Sequence, residues 1–393
     1  MTDARRARVA VAAIFFLNGV VFGTWAARIP AIRDRLGLSD GELGIALACI
    51  PVGAIAAMPL AGALAARVGS RRATRLAFAL ATAAAAVVAL APSLPAFAAL
   101  ALVLGVGMGS LDVTMNLHGV TVERRYERPI LAGFHAAFSV GGLAGAALGA
   151  LVAAAHVDER LHLAVAGVAS GVIGLVWSRR FLPGAADVAS RADPLFARPP
   201  RALWALGALA FACLLIEGAS ADWSGVYIKD ELGTGPGLAA LGFTAFSVTM
   251  TLGRLVGDRL VLAFGAVRVV RAGGLVAALG FAVALAVATP AAALFGFACL
   301  GAGMASIVPI VFRSAGHTPG IASGIALAAV SGVGYLGFLA GPPLIGAIAE
   351  VLSLPVALWL IVVLGVVVSA LAGTTATERA APSADDQRER LAA

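Results

Sequence analysis

The chain contains about twelve apolar runs, each long enough to cross a membrane as a helix. They lie near residues 9–27, 42–65, 74–91, 96–118, 131–155, 161–178, 203–226, 238–257, 269–289, 291–312, 320–348 and 354–372. A helix rising about 1.5 Å per residue needs about 20 residues to cross roughly 30 Å of hydrocarbon. The sequence therefore predicts an all-α integral membrane protein with twelve transmembrane helices.

Composition supports lipid as the solvent for most of the chain. Of the 393 residues, 61% are hydrophobic and only 12% are charged, whereas soluble domains carry about 25% charged residues. The net charge of +7 does not indicate a nucleic-acid partner, because the basic residues are scattered and form no patch with interleaved aromatic residues. The expected partners are the bilayer and a small-molecule solute, and we expect a monomer.

The distribution of basic residues predicts the orientation in the membrane. With the N-terminus in the cytoplasm, 23 of the 28 Lys and Arg residues fall on the cytoplasmic side. The five on the outer side are Arg28, Arg33, Arg35, Arg160 and Lys229. This excess follows the positive-inside rule and favours an even number of spans with both termini cytoplasmic. Arginine outnumbers lysine 27 to 1 and the helices are rich in alanine, which favours a GC-rich bacterial source. The predicted location is the bacterial plasma (inner) membrane.

The longest polar connection divides the chain in two. It covers residues 179–202, contains four prolines and is too short to be a domain. We predict an N-terminal six-helix half over 1–178, a cytoplasmic linker over 179–202 and a C-terminal six-helix half over 203–373. The polar tail, 374–393, is predicted to be disordered and cytoplasmic.

The two halves share a repeat at a fixed offset of 196. Residues 104–110 recur as 300–306 and residues 141–145 as 337–341. Gly69, Arg72 and Arg75 recur as Gly265, Arg268 and Arg271. The first helix matches the seventh after a shift that sets Trp25 against Trp223. Because each half has an even number of helices, both have the same orientation, which is a parallel repeat.

The loop after the second helix carries a family motif. Gly62, Leu64, Arg67, Gly69 and Arg71 match the Gly-x-Leu-x-Asp-Arg-x-Gly-Arg-Arg loop of major facilitator transporters. The chain resembles that superfamily over nearly its full length, which implies two six-helix bundles around a central cavity.

Two positions of this loop depart from the family pattern. Ala66 stands where the family has Asp and Ser70 where it has Arg. In the family that Asp helps to close the cytoplasmic side, so we expect a weakened closure in the first half. The corresponding loop of the second half, residues 253–259, does supply an acid and is predicted to take over this role. The predicted gating residues are Gly62, Arg67, Gly69, Arg71, Arg72, Gly253, Arg254, Gly257, Asp258 and Arg259.

Within the superfamily the chain is similar to the fucose-permease-like branch. The similarity rests on the Gly-Arg-x-x-Gly-Asp-Arg loop, on residues 217–223, and on Phe134-His135 leading into residues 139–142. This resemblance implies uptake of a sugar-like solute by alternating access.

Two acidic residues, Asp112 and Glu217, lie well inside predicted spans, whereas Asp222 and Glu350 lie nearer the ends. An ionised group in hydrocarbon costs several kcal/mol, so such residues are functional candidates. We expect Glu217 to be the first proton-coupling acid and Asp112 the second, with Asp222 as a further candidate. The alternative for Glu217 is a structural acid that holds the bundle together.

Asp112 and Asn116 are four residues apart and share one helix face. Their repeat counterparts are Val308 and Phe312, both apolar. A carboxylate needed only for the scaffold would recur in both halves, so its presence in one half favours a role with solute, proton or gate. The alternative is a local ion pair with the basic loop at 124–128.

In the first helix Asn18, Phe22 and Trp25 share one face. The resemblance places the first, fourth, seventh and tenth helices around the cavity. An amide beside aromatic rings suits a small polar ring such as a sugar, and Trp223 is predicted to line the same cavity. Ordinary packing is the alternative, with Trp25 at the membrane interface. His135 is predicted as a packing or capping residue in preference to a proton relay.

The leading hypothesis is thus a proton-coupled secondary transporter that uses the proton gradient and no cofactor. Export of small molecules by the same architecture is the second hypothesis. A membrane-embedded enzyme is disfavoured because the five histidines are scattered without the spacing of metal ligands. The chain shows no nucleotide-binding loop.

Overall fold

The computed structural model describes residues 3–38, 40–183, 201–234 and 236–376. The helices are α1 (Asp3–Leu36), α2 (Asp40–Val68), α3 (Ser70–Val87), α4 (Leu94–Tyr126), α5 (Leu131–Ala154), α6 (Glu159–Trp177), α7 (Arg201–Val226), α8 (Pro236–Phe264), α9 (Ala266–Val287), α10 (Pro290–Met304), α11 (Ile307–Gly316), α12 (Ser323–Val351) and α13 (Leu354–Leu371). Most of the predicted linker and tail, at 184–200 and 377–393, lies outside the described residues.

The predicted fold class, an all-helical membrane protein, is confirmed. Eleven segments within the described residues are long and apolar enough to cross a membrane. The twelfth path through the bundle is α8, a 29-residue helix that carries three charged residues in its second half.

The tenth predicted span is divided into α10 and α11, which form one path through the bundle. The break falls at residues 305–306 and is explained by Pro309, which has no backbone N–H to donate to the carbonyl of Ala305. The repeat counterpart of Pro309 is Val113, and α4 continues through that position without interruption.

Helix pairing repeats between the halves. In the first half α1 packs on α5, α2 on α4, and α3 on α4 and α6. In the second half α7 packs on α12, α8 on α10, and α9 on α10 and α13. The contacts repeat at the level of residues, because a Cβ atom on Gly105 would overlap the carbonyl of Ile50 and one on Gly301 would overlap that of Phe246. Both partners are related by the offset of 196.

The first helix follows a different offset from the one expected. Gly141 lies against the carbonyl of Phe16, and its counterpart Gly337 lies against that of Phe211. These contacts set α1 and α7 at an offset of 195, so the expected match of Trp25 with Trp223 is wrong. Close contact between backbones determines the register here, whereas the tryptophans matched only in residue type.

We call the end of the bundle where α1 starts and α4 ends the basal end, and the opposite end the distal end. The halves meet near the basal end through α2 with α12 and α5 with α8. Gly62 lies against the backbone of Gly324 in α12, and Gly257 lies against Ala132 in α5. Small residues at these crossings let the two halves approach closely.

The turn between α8 and α9 should depend on glycine at position 265. Gly265 has φ 80° and ψ 155°, and its counterpart Gly69 has φ 81° and ψ 151°. This region is accessible essentially to glycine alone, so Gly265→Ala should cost about 1–3 kcal/mol. The midpoint of thermal unfolding in detergent should fall.

The matched control is Gly44→Ala in α2, where an added methyl group also meets no atom within 4 Å but φ is not positive. Alanine favours the helix there by up to about 1 kcal/mol, so the midpoint should stay or rise. An unchanged midpoint for Gly265→Ala would contradict the backbone argument.

Candidate functional site

Asp112 begins a chain of hydrogen bonds that runs from α4 into α5. Asn116 donates its Nδ2 to Asp112 Oδ1 at 3.1 Å and to the Asp112 carbonyl at 2.8 Å. The Oδ1 of Asn116 lies 3.1 Å from Nε2 of His135. Because an amide oxygen only accepts, we assign the His135 proton to Nε2. The carboxylate, the amide and the imidazole therefore form one connected set.

His135 is held by aromatic rings as well as by Asn116. It is only 8% exposed. Its ring centroid lies 5.4 Å from that of Phe15 in α1 and 6.1 Å from that of Phe312 in α11. Phe312 is the repeat counterpart of Asn116, so an apolar residue in one half packs over the polar site of the other. The imidazole is thus both packed and hydrogen-bonded.

Glu217 of α7 is joined to the same site through Arg254 of α8. Arg254 Nη2 lies 3.7 Å from Glu217 Oε2, and Nη1 donates to Ser139 Oγ at 2.8 Å. The Ser139 hydroxyl in turn donates to the carbonyl of His135 at 3.1 Å. Arg254 therefore binds an acid of its own half and a hydroxyl of the other half at once.

These six residues connect both intramembrane acids across the boundary between the halves. We call them the polar chain: Asp112, Asn116, His135, Ser139, Arg254 and Glu217. The Arg254 side chain is 9% exposed and that of Glu217 is 27% exposed. Among the described residues, Asp112 Oδ2 and Arg254 Nε are buried without a hydrogen-bond partner. The chain thus keeps unused bonding capacity at the centre of the bundle.

α12 supplies two hydroxyls beside the polar chain. Ser331 faces Asp112 without meeting hydrogen-bond geometry. Tyr335, one turn further on, lies within electrostatic range of both Asp112 and Glu217. Sequence analysis missed both residues, because a single Ser or Tyr in an apolar helix carries no signal by itself.

The three residues predicted to share a face of α1 have different surroundings. Asn18 is 8% exposed and directs Nδ2 toward Met115 Sδ at 4.0 Å, next to Asn116 in sequence. Phe22 is 48% exposed. Trp25 is buried in a distal apolar cluster of the first half and packs on Phe97. Asn18 therefore has a contact close to the polar chain, and so does Phe22, whose ring centroid lies 6.2 Å from that of Phe138, next to Ser139 in sequence. Trp25 has no such contact among the described residues.

Trp223 and Asp222 lie in the distal part of α7. Trp223 packs against Gly346 of α12, and its indole Nε1 is buried without a partner among the described residues. Asp222 is exposed. Neither of them therefore joins the polar chain, although Glu217 of that chain lies only five residues before Asp222.

Asp258 of α8 binds the N-terminus of a helix in the other half. Its Oδ1 accepts from the amide of Ala132 at 2.9 Å and its Oδ2 from that of Gly133 at 2.8 Å. Both amides belong to the first turn of α5, where the helix dipole favours a negative charge. The carboxylate therefore connects the two halves at the basal end.

A buried ion pair that sequence analysis missed lies beside this contact. Glu123 of α4 is 3% exposed, and its Oε1 lies 2.9 Å from Nε of Arg313 in α11. Glu123 Oε2 also accepts from the amide of Ile130 at 2.8 Å. Glu123 lies directly before the basic stretch at 124–128, and its neighbours in sequence give no sign that it is buried.

Arg124 binds the second half instead of Asp112. It donates to the carbonyl of Gly316 and, at 3.0 Å, to Ser323 Oγ at the start of α12. Asp112 lies twelve residues before Arg124 in the continuous helix α4, about 18 Å along its axis. Among the described contacts, it is Asn116 that bonds the Asp112 carboxylate.

In the loop between α2 and α3, no acidic residue replaces the Asp of the family motif. Ala66 is buried at 2% exposure, and Ser70 bonds Nδ1 of His118 at 2.7 Å. Neither residue therefore supplies an acid to the contact between the halves.

The other predicted gating residues differ in their surroundings. Arg67 and Arg72 are exposed, and Arg71 is half-buried. In the second half Gly253 of α8 packs on Ala305, and Arg259 is exposed. Among the predicted gating residues, Asp258 is the acid that joins the two halves.

The described hydrogen bonds and ion pairs between the halves all lie toward the basal end. They join residues 123–139 to residues 254–323. In this conformation the basal side of the bundle is closed.

Comparison with known proteins places this geometry in a family. The Major Facilitator Superfamily model matches residues 11–220 and 206–392. An uncharacterized MFS-type transporter of Yersinia pestis is 35% identical over 91% of this chain and 93% of its own. Membrane protein MosC of Rhizobium meliloti is 34% identical over 92% and 88%.

Solved structures share the fold. FucP in the outward conformation superposes with a TM-score of 0.83 at 15% identity, covering 95% of this chain and all of that one. The human organic anion transporter MFSD10 superposes with a TM-score of 0.77 at 16% identity, with the same coverage. The predicted resemblance to the superfamily is confirmed.

Removing the Asp258 carboxylate should open the basal end. Asp258→Ala leaves two amides of α5 without an acceptor, which costs the closed state about 1–3 kcal/mol. The open population should then rise by roughly five- to hundredfold. Spin labels at positions 128 and 264, on opposite halves at the basal end, should show a larger long-distance fraction in electron–electron double resonance.

Asp158→Ala is the matched control. Asp158 caps α6 inside the first half, accepting from the amides of Arg160 and Leu161. Its hydrogen bonds to Arg160 lower its pKa to about 2, so it is ionised at neutral pH. The control should leave the label distances unchanged. Equal distances for Asp258→Ala and the wild type would contradict a closing role.

Proposed function

The chain belongs to the Major Facilitator Superfamily and is a secondary transporter, and we propose that it couples a small polar, sugar-like solute to protons. Transport proceeds by alternating access as the two halves rock about the polar chain. The proton gradient supplies the energy, and both solute and proton move inward. The family is one of transporters, not enzymes.

One observation supports this proposal above the others: both intramembrane acids belong to one path of hydrogen bonds and one ion pair that crosses between the halves. An acid confined to one half could be a structural residue. Glu217 is instead linked through Arg254 to Ser139, and from there to the His135 and Asn116 bonds of α4 and α5. A change of charge at Glu217 therefore affects Arg254, whose hydrogen bond to Ser139 joins the two halves.

The coupling step follows from the position of Arg254. With Glu217 ionised, the guanidinium is held between the carboxylate and Ser139. A proton that enters from the distal side and binds the Glu217 carboxylate removes the negative charge facing Arg254. The ion pair is then lost, the bond to Ser139 is free to break, and the basal end can open. Release of the proton to the basal side restores the ion pair.

The side chains around this path suit a solute rich in hydroxyl groups. Asp112 Oδ2 and Ser331 Oγ have unused bonding capacity among the described residues, and Tyr335 lies close to both acids. Carboxylate, amide and hydroxyl groups together bind sugar hydroxyls as donors and as acceptors. Fold analogy agrees, since FucP is described as a fucose:proton symporter and XylE as a proton:xylose symporter.

We infer that the basal end faces the cytoplasm of a bacterium. The relatives are bacterial, and the basal end carries most of the arginines of the chain. Both termini and the linker then lie on the cytoplasmic side of the inner membrane. The closed basal end corresponds to an outward-facing state, in which solute and proton enter from outside.

Glu217→Gln should separate solute exchange from proton coupling. The amide keeps the size of the side chain but cannot release a proton. In proteoliposomes a panel of hexoses and pentoses is first screened for solute-driven proton uptake with an internal pH dye. For the best solute, counterflow at equal pH should persist, whereas accumulation driven by a pH gradient should fall at least about tenfold.

Glu350→Gln, at the exposed distal end of α12, is the control and should accumulate solute as the wild type does. Asp112→Asn should impair accumulation as well. If Glu217→Gln still accumulates solute against its gradient, Glu217 is not the coupling acid.

Ser139→Ala should favour opening of the basal end without removing either acid. The hydrogen bond from Arg254 is charge-assisted, so its loss should weaken closure by about 1.5–3 kcal/mol. A cysteine at position 132, which is buried against Gly257 of the other half, in a chain whose three native cysteines are replaced by serine, should react faster with a maleimide applied from the basal side. Thr251→Ala, which removes a hydroxyl bonded to Ser247 within α8, should leave the rate unchanged, and equal rates for both variants would refute the role of Ser139.

A further inference from the structure

A second charged region lies away from the polar chain. We call it the arginine corner: Arg71, Arg72 and Arg75 in the first two turns of α3, and Arg179 and Arg180 directly after α6. Arg72, Arg179 and Arg180 are exposed, and Arg71 and Arg75 are half-buried. The coupling mechanism uses none of them.

Packing between α3 and α6 brings the five side chains to one level of the bundle. Gly174 of α6 lies against the ring of Phe78 in α3. Arg75 and Trp177 each lie three residues from that contact, in the basal direction along their helices. Because every α-helix rises by the same amount per residue, the start of α3 and the end of α6 reach the same height.

A buried bridge holds the two arginine groups together. Ser70, directly before Arg71, lies 2.7 Å from Nδ1 of His118. The His118 ring lies 4.3 Å from that of Phe181, directly after Arg180. The His118 imidazole thus contacts a residue next to each arginine group. The position of the corner is therefore determined by packed helices and not by loops.

The two sequence segments that form the corner contain no acidic residue. Residues 44–111 contain no Asp or Glu, and neither do residues 160–183. In the described part of the chain no carboxylate pairs with any of its five guanidinium groups. Five positive charges at the same end of two packed helices repel one another unless an anionic partner neutralises them.

The surface next to the corner is apolar and faces outward. On α3, Leu76 is 62% exposed, and on α6, Val172 and Val176 are 60% and 52% exposed. In a bilayer these side chains contact acyl chains. Trp177 lies at the junction between this apolar surface and the arginines, as tryptophans do at the membrane interface. Arg180 stacks on its ring at 4.4 Å, which orients the guanidinium.

The second half lacks an equivalent region. Across the repeat, Arg72 and Arg75 have the counterparts Arg268 and Arg271, but Arg71 corresponds to Val267. The helix that corresponds to α6 is α13, and residues 351–376 contain no basic residue. The orientation of the protein in the membrane does not require basic residues to be concentrated in one half. The excess of arginines in the first half therefore needs a separate explanation.

We propose that the arginine corner binds the phosphate of an anionic phospholipid, whose acyl chains lie along α3 and α6. Guanidinium groups bind phosphate oxygens in a bidentate manner, which a compact ammonium group cannot do. The headgroup neutralises the corner, and the adjacent apolar surface accepts the chains. A free anion would use the arginines but not this surface, and this favours a lipid as the occupant.

Quenching of Trp177 fluorescence by brominated lipids tests the proposal. The full-length protein is reconstituted in a phosphatidylcholine bilayer that contains a minor, equal mole fraction of either brominated phosphatidylglycerol or brominated phosphatidylcholine. The difference between the wild type and Trp177→Phe isolates the signal of Trp177. We expect at least about threefold stronger binding of phosphatidylglycerol, as basic residues near a membrane attract anionic lipid. Equal quenching by the two lipids would overturn the proposal.

Charge-removal variants assign the preference to the corner. Exchange of all five arginines for glutamine should abolish it, and exchange of Arg71, Arg72 and Arg75 alone should reduce it. The matched control, Arg268→Gln with Arg271→Gln, removes charge at the corresponding site of the other half and should retain it. Persistence of the preference in the folded five-site or three-site variant would overturn the proposal.

Two further measurements separate other occupants. The segment at 184–200, which follows the corner in sequence, contains Asp187 and Asp193. If the phosphatidylglycerol preference arises only after both are changed to Asn, the chain's own acids occupy the corner. If inorganic phosphate abolishes the preference while chloride at equal ionic strength does not, the effect exceeds simple screening and the site binds free phosphate. Either result would overturn a lipid site.

Discussion

A charge that is removed from water must find its partner within the protein, and this requirement organises the contact between the two halves. Asp258 accepts hydrogen bonds from two backbone amides of α5, and Glu123 forms an ion pair with Arg313 of α11. Each pair crosses from one half to the other. Because an unpaired buried charge costs several kcal/mol, the closed basal end is held by groups that are costly to separate unless water reaches them.

Packing of the helices is governed by close backbone contact, since lipid provides no hydrophobic force between helices. Gly105 lies on the carbonyl of Ile50, and Gly301 lies on that of Phe246. The same rule applies between the halves, where Gly62 lies on Gly324. Glycine at these crossings brings two backbones together and leaves few gaps. The internal repeat is therefore a repeat of contacts, and this explains why it is visible in the sequence.

The chemistry lies where the repeat fails. Asp112 and Asn116 correspond to Val308 and Phe312 in the second half, and Asp258 corresponds to Gly62. In the second half α8 carries the acid at the crossing, and in the first half α2 carries a glycine. A scaffold can be duplicated unchanged, but a site that must respond to one proton or one solute needs different groups on its two sides. The arginine corner follows the same pattern at the membrane surface.

Sequence alone determined the number of spans and the family, because both depend on local features. An apolar run of about 20 residues has one stable form in lipid, and the loop from Gly62 to Arg72 is continuous in sequence. It also singled out Asp112 and Glu217, since charge within an apolar run is rare, and Asp258, since it lies in the second-half loop that corresponds to the family motif. Only the tertiary structure decided their partners. Arg254 bridges Glu217 and Ser139, and the serine lies 115 positions away in sequence. No local pattern encodes which side chains will be neighbours once helices from two halves have packed.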